Sequence, residues 1–394
     1  MNQHLSPTPV EQPSMVASSR RAITIGLPKC ESTNDGRFPM TPESVNRLVE
    51  KGYDVKLQSG AAQVIHYSDN QYASNGAHIV ERDEALMCDI VISFDNLSSV
   101  DVNKMRRGAM LLTMKQYIHG ERLLSSLISK YITTIAVDQV KDEQGNQPFA
   151  DILAEIDGRA AISVASSLLA NQHVGKGILL GGIAGVVPCE VIIIGSGIAA
   201  CAAARSAVGL GATVRMFDDD VYRLRRAVRE LGPMVVGSAL HPQVLHNALR
   251  SADVILMTPT RQGYALNQEE VSLMKRRVLV FDLKNEGPNS PSVALSPQSA
   301  ITLPSLQNER IQDRMCIVEV GQTVPRTVAM ALSNAMITLL GDLMQANRHM
   351  NSTTHLIQGW QDGAIVYMGK VVNKEIANRY GLRYVDISLL TQLS

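Results

Sequence analysis

A glycine-rich segment in the middle of the chain has the residue types and spacing of a phosphate-binding turn. It follows the β-favouring run 191–194 and opens an alanine-rich stretch. The segment fits the pattern G-x-G-x-x-G/A, in which a strand turns tightly into a helix whose unpaired N–H groups face a pyrophosphate. The predicted dinucleotide-binding residues are Gly195, Ser196, Gly197, Ile198, Ala199 and Ala200.

An acidic residue further along the chain indicates which dinucleotide would bind. Asp218 follows the next strand pattern, 213–217, where a carboxylate binds the ribose hydroxyls of NAD and repels a 2′-phosphate. The sequence therefore predicts NAD (NADH) rather than NADP(H). Asp219 and Asp220 either strengthen that repulsion or form a solvated turn, and the whole segment could also be a glycine turn that binds nothing.

Strand and helix patterns alternate on both sides of this motif. Thr41, Pro42 and Gly52 mark the start and end of one helix. Predicted strands cover 22–27, 53–58, 89–93, 109–114, 133–137, 191–194, 213–217, 253–257, 278–282 and 364–368, and predicted helices cover 42–51, 155–170, 327–344 and 373–380. This alternation predicts an α/β fold with parallel sheets.

The order of these elements predicts two doubly wound Rossmann-like domains with a cleft between them, linked by long helices. Residues 1–21 form a predicted disordered arm. A first, substrate-binding domain is predicted from residues 22–153 plus 327–394, and an NAD-binding domain from residues 154–326.

Composition excludes several classes of protein. The chain of 394 residues carries 37 Lys+Arg and 37 Asp+Glu, a balance that argues against a nucleic-acid binder. Its five cysteines contain no C-x-x-C pair, which argues against a disulfide framework or a thiolate metal site and favours the cytoplasm. Pro188 and Glu190 interrupt the apolar stretch 177–204, so we predict no membrane span there.

Long segments of the sequence resemble the alanine dehydrogenase and transhydrogenase α-subunit family. These segments include IGLPKCESTNDGRFPMTPESVNRLVEKGYDV, GKGILLGGIAGVVPCEVIIIGSGIAACAAARSAVGLGATVRMFD, TVPRTVAMALSN and GAIVYMGKVVNKEIANRYGLRYVDISLL. The C-terminal segment is most similar to the soluble alanine dehydrogenases. The resemblance implies NAD-dependent conversion of L-alanine to pyruvate and ammonia, and a homo-oligomer, commonly a hexamer.

The resemblance also assigns candidate catalytic positions. Arg37 matches the family's carboxylate-binding arginine, whereas the substrate lysine falls on Ser93 and the catalytic histidine on Gln116. The family's aspartate falls on Glu286. On the cofactor side, Thr258 lies where the nicotinamide is expected to enter, and the family's asparagine falls on Glu319.

These substitutions remove cationic and proton-carrying groups. Serine supplies only a neutral hydrogen bond, and glutamine cannot transfer a proton near pH 7 as histidine does. Lys115 or His119 could take over the vacated places, or could simply be solvated or structural. Arg37 could instead form a surface ion pair with Asp35 or Glu31.

Three functions are consistent with this pattern. The chain is a working NAD-dependent dehydrogenase for alanine or a related amino acid, a catalytically degenerate NAD-binding protein with a regulatory role, or a transhydrogenase-like hydride carrier. The expected partner is a small amino or keto acid, with no nucleic acid and no membrane.

Overall fold

The computed structural model describes residues 22–31, 37–172, 175–283, 300–301, 315–317, 320–348 and 358–391. The predicted N-terminal arm lies outside these residues. The described residues form two α/β units, each built on a predominantly parallel sheet with helices packed against it.

The strands of the first sheet lie in the N-terminal part of the chain and near the C-terminus. They are β1 (Thr24–Leu27), β2 (Asp54–Gln58), β3 (His78–Val80), β4 (Ile90–Ile92), β5 (Met110–Thr113), β6 (Thr133–Ala136), β14 (Ala364–Tyr367) and β15 (Lys370–Val371). The second sheet contains β7 (Glu190–Ile194), β8 (Thr213–Asp218), β9 (Val235–Ala239), β10 (Val254–Met257), β11 (Leu279–Asp282), β12 (Ala300–Ile301) and β13 (Met315–Ile317).

The helices of the first unit and the first connecting helix are α1 (Pro42–Glu50), α2 (Asp69–Ser74), α3 (Arg82–Leu86), α4 (Ser99–Lys104), α5 (Glu121–Ser129) and α6 (Pro148–Ala170). The remaining helices are α7 (Ile198–Gly209), α8 (Val221–Leu231), α9 (Pro242–Ser251), α10 (Gln268–Leu273), α11 (Pro325–Arg348), α12 (Gln358–Gln361), α13 (Lys374–Arg379) and α14 (Ile387–Thr391).

Both sheets have the strand order of a doubly wound fold. The first runs β15-β14-β6-β5-β4-β1-β2-β3, and the second runs β12-β13-β11-β10-β7-β8-β9. In each sheet the order reverses beside the first strand, β1 or β7, and ligands bind such sheets in the crevice at the carboxyl ends of the strands next to that reversal. The fold is therefore the predicted pair of Rossmann-like units, with β14 antiparallel to β6 at one edge.

Two long helices connect the units. The first turns of α6 pack Phe149 and Leu153 into the core of the first unit, whereas Ala161 and Ala165 further along α6 pack into the core of the second. Leu332 and other apolar residues of α11 also pack into the first core. The domain boundaries assigned from the sequence remain a prediction.

The predicted elements differ from the observed ones mainly at their ends. Helix α6 begins at Pro148 rather than at Glu155, because proline is well suited to the first helical position. Thr41 lies at the N-cap of α1, but its side chain makes no capping hydrogen bond. Instead its backbone N–H donates to Ser333 Oγ of α11 at 2.9 Å, which ties the start of α1 to the long helix.

The apolar stretch that resembled a membrane span is divided between a loop, the buried strand β7 and helix α7. Among the described residues, no helix is both long enough and apolar enough to cross a membrane.

Candidate functional site

The glycine-rich segment forms a tight turn between β7 and α7. Gly195 has a φ of +101°, and its N–H donates to the carbonyl of Phe217 at 2.7 Å. A β-carbon added to Gly195 would lie 2.1 Å from Thr258 Oγ1, closer than any stable contact. Only glycine therefore fits this position, for reasons of both conformation and space.

Gly197 opens helix α7 at its N-cap position. A β-carbon at Gly197 would lie 2.5 Å from Nη2 of Arg223, on helix α8. Ile198 is partly exposed, whereas Ala199 and Ala200 are buried against the neighbouring helix and strand. The first turn of α7 therefore has one buried face and one face towards Arg223 and the cleft, where a pyrophosphate would bind.

The same turn is packed tightly against α6. A β-carbon at Gly158 of α6 would lie 2.2 Å from the carbonyl oxygen of Ala199. The two helices can approach this closely because both present small side chains along their contact, which fixes the position of the glycine turn.

The three consecutive aspartates after β8 all have partners within the chain. Asp218 is fully buried; it accepts a hydrogen bond from Ser196 Oγ at 2.5 Å and another from the N–H of Asp220 at 2.9 Å. Asp220 caps α8 by accepting from the N–H groups of Tyr222 and Arg223. The sequence predicted that the Asp218 carboxylate contacts a ribose. In the structure this carboxylate is fully buried and does not face the cleft.

Asp219 joins the end of β8 to the loop after β10. Its carboxylate accepts from the N–H groups of Arg261 at 3.1 Å and Gln262 at 2.8 Å. Burial raises the pKa of Asp219, but the hydrogen bonds outweigh burial and hold the pKa below its ordinary value. The ionised carboxylate therefore fixes the loop that begins at Thr258.

Thr258 lies at the carboxyl end of β10, directly beside Gly195. Its side chain is fully buried and donates from Oγ1 to the carbonyl of Ile194 at 2.9 Å. The hydroxyl thus supports the glycine turn from behind. Thr258 and Pro259 also contribute to the wall of the adjoining cleft.

The glycine turn opens onto a cleft of about 670 Å³. Helix α6 lines one side with Gln147, Asp151 and Glu155, and the opposite side includes arginines of α7 and α8. Burial and the nearby Asp142 carboxylate raise the pKa of Asp151 above its ordinary value. Sequence reasoning missed Asp151 because the predicted helix began after it.

The arginines of the cleft were also missed. Arg205 lies on α7, and Arg223 and Arg226 lie on α8. Their spacing of three residues on α8 places Arg223 and Arg226 on one helix face. That spacing, in a helix directly after the strand that ends at Asp218, is the signal that could have identified them.

The predicted substrate residues follow the carboxyl ends of β1, β4 and β5 in the first sheet. Arg37 is nearly buried, and its Nη1 lies 3.7 Å from Sδ of Met114. Ser93 is buried, and its N–H donates to the carbonyl of Leu112 at 3.0 Å. Gln116 is exposed on a short 3₁₀ turn after β5.

The described residues that follow β1 contact Arg82, which is itself paired with Asp101. Arg82 donates to Asp101 Oδ1 at 2.9 Å and to the carbonyl of Lys29 at 2.9 Å, and it lies 3.4 Å from Glu31. Glu31 is therefore paired with Arg82. Asp35, the other acid considered as a partner for Arg37, lies outside the described residues.

The two residues considered as replacements for lost catalytic groups have other contacts. Nζ of Lys115 lies 2.5 Å from Oε2 of Glu375 on α13, and the Lys115 N–H donates to Asp138 at 2.8 Å. Nδ1 of His119 lies 3.0 Å from the carbonyl oxygen of Gln116. Lys115 therefore ties the loop that carries Gln116 to the C-terminal segment.

This ion pair gives a test of the loop contact. The hydrogen bond from Lys115, together with the charges of Lys115 and Arg379, outweighs slight burial and lowers the pKa of Glu375 below its ordinary value. The pair therefore stabilises the fold above that ordinary value, and the contribution disappears as the pH falls through the lowered pKa. Because both side chains are partly exposed, we expect Glu375→Gln to lower the free energy of unfolding by about 0.2–1 kcal/mol at pH 7.

Urea unfolding of both proteins at pH 7 and near pH 3 would measure this difference, which should shrink at the lower pH. An equal difference at both pH values would show that the charge of Glu375 is not the source of its contribution to the free energy of unfolding. Glu121→Gln is the matched control, because Glu121 is exposed at the start of α5.

The described residues contain no group of three or more His, Cys, Asp or Glu side chains that could hold a metal ion. Among the described residues, Cys88, Cys189 and Cys201 are in no disulfide bond.

Both halves of the chain match domain models of one known family. The model of the alanine dehydrogenase/PNT N-terminal domain matches residues 26–156, and that of the C-terminal domain matches residues 161–374. The chain belongs to the alanine dehydrogenase/PNT family.

Its relatives in this family are distant but match along their whole length. An alanine dehydrogenase from Mycolicibacterium smegmatis is 25% identical over 92% of this chain and 98% of its own. Alanine dehydrogenase 2 from Staphylococcus aureus is 27% identical over 94% of this chain and 100% of its own.

Solved structures share the same fold. An L-alanine dehydrogenase superposes with a TM-score of 0.76 at 23% identity, covering 91% of this chain and 99% of the other. A transhydrogenase from Sinorhizobium meliloti superposes with a TM-score of 0.71 at 18% identity, covering 89% of this chain and 99% of the other. At these identities the structural likeness establishes the fold alone.

Two of the positions assigned through the alanine dehydrogenase resemblance, Glu286 and Glu319, lie outside the described residues. The described part of the site thus brings Gly195, Gly197 and Thr258 together around one cleft, whereas Arg37, Ser93 and Gln116 lie on the first unit. Their assigned roles remain predictions.

Proposed function

We propose that this chain is an NAD-dependent amino-acid dehydrogenase that converts L-alanine, or a related small amino acid, to the keto acid and ammonia. The observation that carries the proposal is the turn at Gly195, where neither the backbone nor the neighbouring Thr258 leaves room for a side chain. Such a turn beside a cleft is a cradle for a dinucleotide. Membership of the alanine dehydrogenase family supports the choice of reaction.

The residues around this cradle fit NAD. Backbone N–H groups at the start of α7 would hold the pyrophosphate, and Gly197 leaves the backbone accessible to it. Thr258 fixes the turn from behind. When bound, NAD would supply the hydride acceptor for oxidation of the amino acid.

On the first unit, Arg37 would bind the substrate carboxylate. A guanidinium offers two parallel donors to a carboxylate, and near-complete burial strengthens that attraction. Ser93 and Gln116 would supply neutral hydrogen bonds to the substrate. Without a titrating histidine at the position of Gln116, the proton transfers would depend on water or on an acid such as Asp151.

A second candidate is an NAD-binding subunit that does not turn over substrate. The contacts of Lys115 with Glu375 and of His119 with the carbonyl of Gln116 favour it, because these contacts hold both possible replacement groups in other interactions. Absence of turnover despite cofactor binding would support this alternative.

We further propose a cytoplasmic homo-oligomer, with a hexamer as the assembly suggested by resemblance. The reduced thiols of Cys88, Cys189 and Cys201 are consistent with that location. We keep residues 22–153 plus 327–394 as the substrate domain and residues 154–326 as the NAD domain.

The experiment combines cofactor binding with turnover. Full-length protein is titrated with NADH by calorimetry. Absorbance at 340 nm is then followed with NAD and a panel of amino acids and, in the reverse direction, with NADH, ammonium and the matching keto acids. We expect saturable NADH binding and an increase in absorbance with L-alanine. Binding without turnover on any amino or keto acid of the panel would reject the dehydrogenase and leave the second candidate, whereas absence of binding would reject both.

A further inference from the structure

The charges that face the cofactor cleft differ from those expected from the sequence. Three aspartates after β8 predicted repulsion of a 2′-phosphate. In the structure Asp218 is buried beneath Ser196, Asp219 accepts two backbone N–H groups, and Asp220 caps α8. Each carboxylate is thus already bound by donors of the chain itself, and Asp218 is closed off from the cleft.

Two arginine side chains lie in the part of the cleft where the sequence predicted an acidic side chain. Arg223 extends from the first turn of α8 to the glycine turn, where its Nη2 lies 2.5 Å from the position of a β-carbon on Gly197. Arg226 lies one turn further along α8 and lines the same cleft. A cofactor's adenosine binds between the end of the second strand and the glycine turn of such a fold, which here is the space that Arg223 spans.

Neither guanidinium is used in an ion pair with another described residue. In the same region Arg205 pairs with Glu230, and Arg261 pairs with Asp220. On the opposite wall, Glu155 pairs with Arg159 of its own helix. Within the described part of the chain, Arg223 and Arg226 therefore place two positive charges in the cleft. Neither guanidinium has a described carboxylate within 4.0 Å.

We propose that Arg223 and Arg226 bind a phosphate group carried by the adenosine ribose, so that the cleft accepts NADP(H) as well as NAD(H). A guanidinium remains charged at every physiological pH and matches a phosphate with paired donors. This inference rests on the proposed dinucleotide site and reverses the coenzyme preference predicted from Asp218.

The test is a set of calorimetric titrations of the full-length protein with NADH and with NADPH. We expect the two dissociation constants of the unmodified protein to agree within about tenfold. Arg223→Gln and Arg226→Gln should each weaken NADPH by about tenfold to a hundredfold, the contribution of one charge-assisted hydrogen bond, and weaken NADH much less. Arg225→Gln is the matched control, because Arg225 lies on α8 but does not line the cleft beside the glycine turn.

The outcomes separate this inference from the proposed function. If NADH binds and NADPH binds more than a hundredfold more weakly, the inference is wrong and the dinucleotide site stands. If both arginine variants weaken NADH and NADPH by the same factor, the arginines contact the pyrophosphate and the assignment to the 2′-phosphate is wrong. If neither nucleotide binds, the proposed function fails first.

Discussion

Replacing Gly195 by alanine is expected to abolish measurable NADH binding and to lower the free energy of unfolding by about 3 kcal/mol. Two causes act together. The φ of +101° is unfavourable for any residue with a β-carbon, and that β-carbon would meet Thr258 Oγ1 at 2.1 Å. Relief of the overlap must move β7 or β10, and either movement displaces the phosphate cradle. Calorimetry with NADH and urea unfolding measure the two effects.

Gly209→Ala is the matched control for this variant. Gly209 ends the same helix, has no atom within 4 Å of an added β-carbon, and has no unusual φ. We expect its free energy of unfolding to change by less than about 1 kcal/mol and its NADH affinity to stay the same. A Gly195→Ala protein that still bound NADH normally would show that the cofactor does not use this turn.

Replacing Arg37 by glutamine is expected to lower kcat/KM for L-alanine by roughly a hundredfold, or about 3 kcal/mol, while NADH affinity stays unchanged. The nearly buried guanidinium lies beside Met114 at the carboxyl end of β5. Loss of its charge removes the proposed partner of the substrate carboxylate. Initial rates at 340 nm and NADH calorimetry would test the prediction.

Arg107→Gln removes the same charge elsewhere on the first sheet and serves as the control. Arg107 is exposed, precedes β5 at the opposite end of the strand, and packs over the ring of Tyr131. It should leave turnover unchanged. If Arg37→Gln kept full activity, or lost NADH binding and stability instead, Arg37 would be structural rather than a substrate ligand.

Much of the fold follows from local sequence patterns. The strand 191–194 is a continuous apolar run because both faces of a parallel sheet are covered. Pro42 and Gly52 correctly mark the ends of α1, since proline fits the first helical turn and glycine ends it. The early start of α6 was missed because its first turns mix polar and apolar residues, and Phe149 and Leu153 there pack into a different core from the rest of the helix.

The candidate site was less predictable, because its decisive contacts join residues distant in the sequence. Lys115 and Glu375 are 260 residues apart, and no local pattern indicates their pairing. The position of Asp218 was correctly placed at the end of β8, but its burial depends on the hydroxyl of Ser196, 22 residues earlier. The direction of the Arg223 side chain likewise depends on how α8 packs beside the glycine turn.

We expect this chain to move a hydride from the α-carbon of an amino acid to NAD. The most direct measurement incubates the full-length protein with NAD and L-alanine deuterated at the α-carbon, and analyses the product by mass spectrometry. We predict NADH that carries the deuterium, together with pyruvate. Formation of no NADH, or of NADH without deuterium, would show that the chain does not transfer this hydride.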